Sequence, residues 1–119
     1  LDLNAISDAT DALEEKYGNV LIEGAGGLMV PLKGEYLTID YMCEHNLPAI
    51  LVTNGRLGSI NHTLLALSAL RNAGIRLFAV IYNSHFDKDK IICEDTRNYI
   101  RQWLDRHFPD ALYLEMPSL

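Results

Sequence analysis

Apolar positions recur along this chain in two alternating rhythms, one with helical period and one of short continuous runs. Over residues 4–17, Ile6, Ala9, Leu13 and Tyr17 share one helical stripe, and Gly18 follows as a stop signal. Residues 19–22 are apolar after Asn19, the pattern of a strand covered on both faces. A second helix is predicted over about residues 38–46, with Ile39, Met42 and Cys43 facing inward, and Pro48 leads into a strand over 49–53. Residues 59–73 give the clearest helix: Ser59 is placed to cap it, Ile60, Leu64, Leu67 and Leu70 form its face, and Gly74 ends it. A strand over 77–82 follows. A helix over about 87–106 comes next, with Ile92, Thr96, Tyr99, Ile100 and Trp103 on one face, and a short strand over 112–114 precedes Pro117.

Helices therefore alternate with short buried strands. That order predicts an α/β domain with a parallel sheet, right-handed crossovers and helices on both faces, a three-layer arrangement. In such sheets ligands gather beyond the carboxyl ends of the strands. The four predicted strand ends carry Glu23, Thr53 with Asn54, Asn83, and Glu115, so polar chemistry is expected along one edge.

Composition narrows the classes. The 119 residues fit one domain or part of one, and 49% hydrophobic residues suffice for a core. A formal net charge of -6 argues against a nucleic-acid binder, which carries a basic face, and more weakly against anionic membranes. An anionic small molecule stays open, because backbone N–H groups and a metal ion supply local positive potential. The two cysteines, Cys43 and Cys93, are far apart and in no metal-type spacing, so they read as reduced and structural, as in a cytosolic protein. No apolar run approaches the roughly 18 residues of a membrane span, and no targeting segment opens the chain. Leu1 stands at the edge of a predicted helix where Met is expected, so the chain is read as an incomplete fragment of a domain.

Within "EGAGG", Gly24, Gly26 and Gly27 allow positive φ and close approach of the backbone to a ligand, and Glu23 could bind Mg²⁺ directly or through water. A plain strand-to-loop turn with a solvated glutamate fits the spacing equally well. In "GRLGSINH", residues 55–62, Gly58 and Ser59 open a helix whose first N–H groups can meet an anion, and Asn61 lies in the first turn. Simple capping by Ser59 is the alternative. Asn83 can read a purine edge, since a carboxamide donates and accepts, or can be a turn residue. His45, His62, His85 and His107 have no partnering pattern and read as surface residues; Trp103 and Tyr99 sit at core spacing; "DKDK" at 87–90 reads as a solvated helix start. No GxxxxGK[ST] loop, zinc spacing, HExxH or Ser–His–Asp set occurs.

Taken together, "EGAGGLMVPL" at 23–32, "LPAILVTNGRLGSINHTLLALSALRNAGI" at 47–75, "AVIYNS" at 79–84 and "LEMPSL" at 114–119 resemble the C-terminal part of dethiobiotin synthetases, in order and approximate spacing. The resemblance implies a P-loop NTPase-like fold and an ATP-dependent carboxylation and ring closure in biotin biosynthesis. The family's substrate, 7,8-diaminononanoate, reacts with CO₂ to a carbamate, which ATP phosphorylates. The second amine then closes the ring of dethiobiotin and releases phosphate.

By the same resemblance Glu23 would be a Mg²⁺ ligand, and Gly24, Ala25 and Gly26 would lie beside the nucleotide or the carbamate, with Gly27 beside the substrate. Asn83 would contact adenine with the backbone of Pro117, Ser118 and Leu119. Gly58, Ser59, Ile60 and Asn61 would hold the substrate's remote carboxylate at a helix N-terminus that serves the neighbouring subunit of a homodimer. The family's P-loop, substrate-orienting lysine and second acidic metal ligand belong to an N-terminal half that is not in this sequence. Residues 1–119 are thus expected to be the C-terminal part of one cytoplasmic domain, without the residues of the chemical step. Alternatives are another P-loop synthetase such as a cobyrinic acid synthase, or a non-catalytic binding or dimerisation module.

Overall fold

Asp2 starts the first helix, α1 (Leu3–Tyr17), by accepting hydrogen bonds from the N–H groups of Asn4 (3.0 Å) and Ala5 (3.2 Å). Gly18, at φ 85°, ends it and returns its N–H to the Glu14 carbonyl. The predicted boundaries hold, but the stripe is less covered than expected. Ile6 is half-buried, while Leu13 and Tyr17 are exposed.

This computed structural model describes residues 1–117, and the chain divides into two units, Leu1–Tyr41 and Met42–Leu119. In the first unit the predicted strand over 19–22 does not form: Leu21 is 82% exposed and Ile22 is exposed as well. An apolar run becomes a strand only when flanking backbones take its N–H and C=O groups. Residues 19–22 join neither sheet among the described residues.

A hairpin that the hydrophobic pattern did not predict follows. β1 (Pro31–Lys33) pairs antiparallel with β2 (Tyr36–Leu37) around Gly34 and Glu35, with Gly34 at φ 56°. Pro31 stands first in its strand, where a missing N–H is tolerated. α2 (Thr38–Glu44) begins directly after it. Asp40 Oδ2 accepts from the Leu37 N–H (2.8 Å), and the helix buries Ile39 and Tyr41. Of the predicted inward set only Ile39 is buried. Met42 is half-covered, and the exposed Cys43 donates its thiol to the Ala73 carbonyl at 3.1 Å.

The second unit holds the sheet. β3 (Ala49–Asn54), β4 (Leu77–Asn83) and β5 (Leu112–Met116) are parallel, in the order β3-β4-β5. Crossovers run through α3 (Ser59–Asn72) and α4 (Lys90–His107). Thr53 and Tyr82 are register partners, so their side chains share a face. Thr53 meets Ser59 and Thr63 of α3, while the Tyr82 ring lies under Arg97 of α4. Both helices therefore cover the same face, as two right-handed crossovers moving one way across a sheet require. The α/β class with a parallel sheet and flanking helices is as predicted, whereas the helices expected on both faces are not found in this unit, where α3 and α4 share one face.

Between helices and sheet, Tyr82, Leu67, Leu70, Ile100 and Val80 are fully buried. On the other face Ile50, Val52, Leu112, Leu114 and Met116 are between 44% and 62% exposed. The buried face of α4 is Cys93, Thr96, Ile100 and Leu104, rotated from the predicted one; Ile92 and Tyr99 face solvent. Trp103 is half-covered and packs on His107, with ring centroids 4.1 Å apart.

Candidate functional site

The carboxyl ends of the three parallel strands meet in one row. Asn54 pairs with Asn83, and Asn83 with Met116, so the last residues of β3, β4 and β5 stand side by side. After them in sequence come Gly58 and the start of α3, the turn after β4, and Pro117. Ser84 Oγ donates to the Met116 carbonyl at 2.7 Å and fastens the end of β5 to the loop after β4. Pro117 follows Met116 directly and is exposed. Ser118 and Leu119, also predicted to contact a nucleotide, lie outside the described residues.

Asn83 caps a short 3₁₀ turn, Ser84–Phe86, its Oδ1 accepting from the His85 N–H at 3.0 Å. The turn role is thus real, and it fixes the amide orientation, because the His85 N–H needs an acceptor. Nδ2 has no protein partner among the described residues, and Oδ1 keeps a second lone pair. The half-buried carboxamide can still donate to and accept from one base edge.

The start of α3 differs from the prediction in its cap. Gly58, at φ 85° and ψ -5°, occupies the N-cap and supplies no side-chain acceptor. Ser59 is the first helical residue, and its hydroxyl donates to the Asn54 carbonyl instead of capping the helix. It is buried, whereas Gly58, Ile60 and Asn61 are exposed. The N–H groups of Ile60 and Asn61 therefore stand at the positive end of the helix dipole without a side-chain cap.

Two predicted edge residues do not line the edge. Thr53 is buried against α3, with its hydroxyl shared by Ser59 and Thr63. Glu115 is the fourth residue of β5, on the helical face, where Oε1 meets Arg101 Nη2 (2.7 Å), Arg97 Nε (3.5 Å) and the Tyr113 hydroxyl (3.3 Å). It is a structural ion-pair partner.

Glu23 and its glycines belong to the first unit. Glu23 is exposed on irregular chain, since the strand expected before it is absent. Gly26 and Gly27 take φ 91° and 135°, as the glycine pattern predicted; Gly24 does not, and the place a Cβ would take there lies 3.4 Å from the Thr38 methyl. Ala25 is exposed between them. Gly27→Ala has open space for the methyl but the wrong backbone, so it is expected to lose about 1–3 kcal/mol of stability, read by denaturant unfolding.

Three features escaped the sequence reading. The Arg56 guanidinium stacks 3.6 Å from the Phe86 ring centroid, which puts an exposed cation between the β3 and β4 loops. "DKDK" is more than a solvated start: Asp89 caps α4 through the N–H groups of Ile91 and Ile92, and Asp87 is half-buried. Asp87 Oδ1 accepts from the Tyr82 hydroxyl at 2.7 Å and Oδ2 from Arg97 Nη1 at 2.8 Å. Burial above all, with the Asp87 carboxylate and the Cys93 thiol adding to it, holds the Tyr82 phenol far above its ordinary pKa, so it remains a donor. Gly55 sits directly on this pair. The only sequence signal was the i, i+4 spacing of Arg97 and Arg101 on α4.

His45, His62 and His85 are exposed, as predicted. Among the described residues no group of three His, Cys, Asp or Glu side chains could hold a metal by itself, and no helix is long and apolar enough to cross a membrane.

Residues 1–107 match the family model described as an AAA domain. An "ATP-dependent dethiobiotin synthetase BioD 2" of Pasteurella multocida (strain Pm70) is 45% identical over 113 residues, 95% of this chain and 53% of that protein. A protein of the same name from Haemophilus ducreyi is 46% identical over 93% of this chain and 53% of its own length. An "ATP-dependent dethiobiotin synthetase BioD" of Chlorobaculum tepidum is 43% identical over 98% of this chain and 49% of its own. The chain spans about half the length of these curated relatives.

Proposed function

The chain belongs to the dethiobiotin synthetase family and shares its P-loop NTPase-like α/β fold class, and from that premise we propose that residues 1–119 are the C-terminal part of one such enzyme domain. The complete protein would be an ATP-dependent ligase that converts 7,8-diaminononanoate and CO₂ to dethiobiotin with release of ADP and phosphate. The observation that carries the reading is the single row Asn54–Asn83–Met116, with the start of α3 directly beyond it. A ligand laid along that row meets a carboxamide, exposed main chain and a helix N-terminus together.

In this proposal Asn83 contacts adenine, Nδ2 donating to a ring nitrogen and the second lone pair of Oδ1 accepting from the exocyclic amine, as Asn does with adenine elsewhere. The backbone of Pro117 borders the same base, with Ser118 and Leu119 after it. Gly24, Ala25 and Gly26 lie along the phosphates and the carbamate, and Gly27 beside the substrate. The positive φ at Gly26 and Gly27 favours glycine there, and glycine puts no side chain into that space. The N–H groups of Ile60 and Asn61, with Gly58 and Ser59 shaping the turn, hold the remote carboxylate of substrate bound to the neighbouring subunit of a homodimer.

Mg²⁺ takes one or two protein carboxylates and fills its other positions with water and substrate phosphates. A single exposed carboxylate, Glu23, therefore fits it as a partial donor set. When bound, the ion neutralises charge on the transferring phosphoryl group. Two free cysteines, Cys43 exposed and Cys93 buried, accord with a reducing cytoplasm.

The full-length protein carrying this chain is expected to form dethiobiotin from 7,8-diaminononanoate, bicarbonate and ATP, with turnover dependent on Mg²⁺. The 119-residue chain, with no GxxxxGK[ST] loop, is expected to form none. A folded full-length protein that yields no dethiobiotin in the same assay contradicts the reading.

A further inference from the structure

We propose that Asp87 is a positioning residue for the nucleotide: through Tyr82 on one side and Arg97–Glu115 on the other, it holds the ends of β4 and β5 in the alignment that lets Asn83 and Pro117 grip one base. The inference rests on the nucleotide-site reading above and adds residues that do not touch the ligand.

Both oxygens of Asp87 are used. Oδ1 accepts the Tyr82 hydroxyl at 2.7 Å, and Tyr82 immediately precedes Asn83. Oδ2 pairs with Arg97 at 2.8 Å, with the side chains only 16% and 24% exposed, so the pair is poorly screened. Arg97 also reaches Glu115, which Arg101 holds at 2.7 Å, and Glu115 stands two residues before Pro117. A continuous chain of charge-assisted contacts thus runs on the helical face beneath the two strand ends whose outer side carries the proposed adenine contacts. The third strand rests on it too. A Cβ at Gly55 would strike the Tyr82 hydroxyl, with Asp87 Oδ1 at 2.7 Å and Cys93 Sγ at 2.9 Å. Because the network joins the residue before Asn83 to the strand end before Pro117, loosening it would shift both proposed base contacts together.

The test uses the full-length protein and steady-state kinetics. Asp87→Asn is expected to raise the KM for ATP roughly tenfold, the size of one charge-assisted contact, with kcat and the KM for 7,8-diaminononanoate within about twofold. Asp87→Glu is expected to recover most of the loss. Tyr82→Phe loses one bond and no charge; it is expected to raise the KM for ATP about threefold and carries the test if Asp87→Asn does not fold. A lower Tm with unchanged KM for ATP in these variants overturns the inference. Asn83→Ala separates the two levels. If it weakens ATP while the Asp87 and Tyr82 variants do not, the positioning role alone has failed. If it leaves ATP unaffected, the nucleotide-site reading itself has failed, and this inference with it.

Discussion

Glu23→Gln in the full-length protein is expected to lower kcat/KM for dethiobiotin formation by about 100-fold or more while leaving the fold untouched. The size follows from the proposed role, since losing one positioned contact to the transferring phosphoryl group costs about 3 kcal/mol of transition-state stabilisation. The intact fold follows from the structure. Glu23 is exposed on irregular chain, and substitutions at such positions change stability by only about 0.5 kcal/mol. Glutamine keeps the shape and removes the charge, so the comparison isolates the metal-binding oxygen. Kinetics at varied Mg²⁺, with thermal unfolding of the same preparations, give both halves of the result. Unchanged turnover would return Glu23 to the solvated turn residue that its sequence context equally allowed.

The second large effect is on stability. Gly55→Ala places a methyl group on the Tyr82 hydroxyl, and Asp87 and Cys93 close off the remaining space. Tyr82 is fully buried in the central strand and Cys93 is buried on α4, so neither yields easily. Either the loop lifts from β4 or the Tyr82–Asp87 bond breaks. Overpacking of this kind costs about 2–3 kcal/mol, which for a protein of the relatives' size lowers Tm by about 4–12 °C. Differential scanning calorimetry of the full-length variant reads it directly. An unchanged Tm would mean that the loop does not rest on this pair.

The contrast between these positions shows what the sequence could carry. α3 was legible almost to the residue because apolar period, a small residue at its start and Gly74 after its end agree. β3, β4 and β5 were legible as short apolar runs between those helices, but of the polar residues expected at their ends only Asn54 and Asn83 stand in the row, while Thr53 and Glu115 turn to the helical face. The run over 19–22 has the same composition and no ladder, because strand formation depends on partners elsewhere in the chain. The face of α4 was misjudged because Ile92 and Tyr99 outweigh Cys93 in hydrophobicity, whereas Cys93 and Leu104 complete the face that Thr96 and Ile100 turn to the sheet.

Polar roles failed for a related reason. Ser59 has the chemistry of an N-cap, yet the carbonyl of Asn54 competes for its hydroxyl and Gly58 takes the cap position. Asp87 sits in a run of alternating charge that reads as solvated. Its partners, Tyr82 and Arg97, are near in sequence but reach it only once β4 and α4 are folded against each other. Motif resemblance names the proposed site residues, and the folded backbone shows which side chains hold the strand ends beside them.

The central claim is that the row of strand ends at Asn83 receives the base of ATP while Glu23 receives its metal. A crystal structure of the full-length protein with Mg²⁺ and a non-hydrolysable ATP analogue tests this most directly. The account predicts the Asn83 carboxamide at about 3 Å from the adenine edge and a Glu23 oxygen at about 2.1 Å from Mg²⁺ or one water away. A nucleotide bound elsewhere, with Asn83 and Glu23 both turned to solvent, would contradict it.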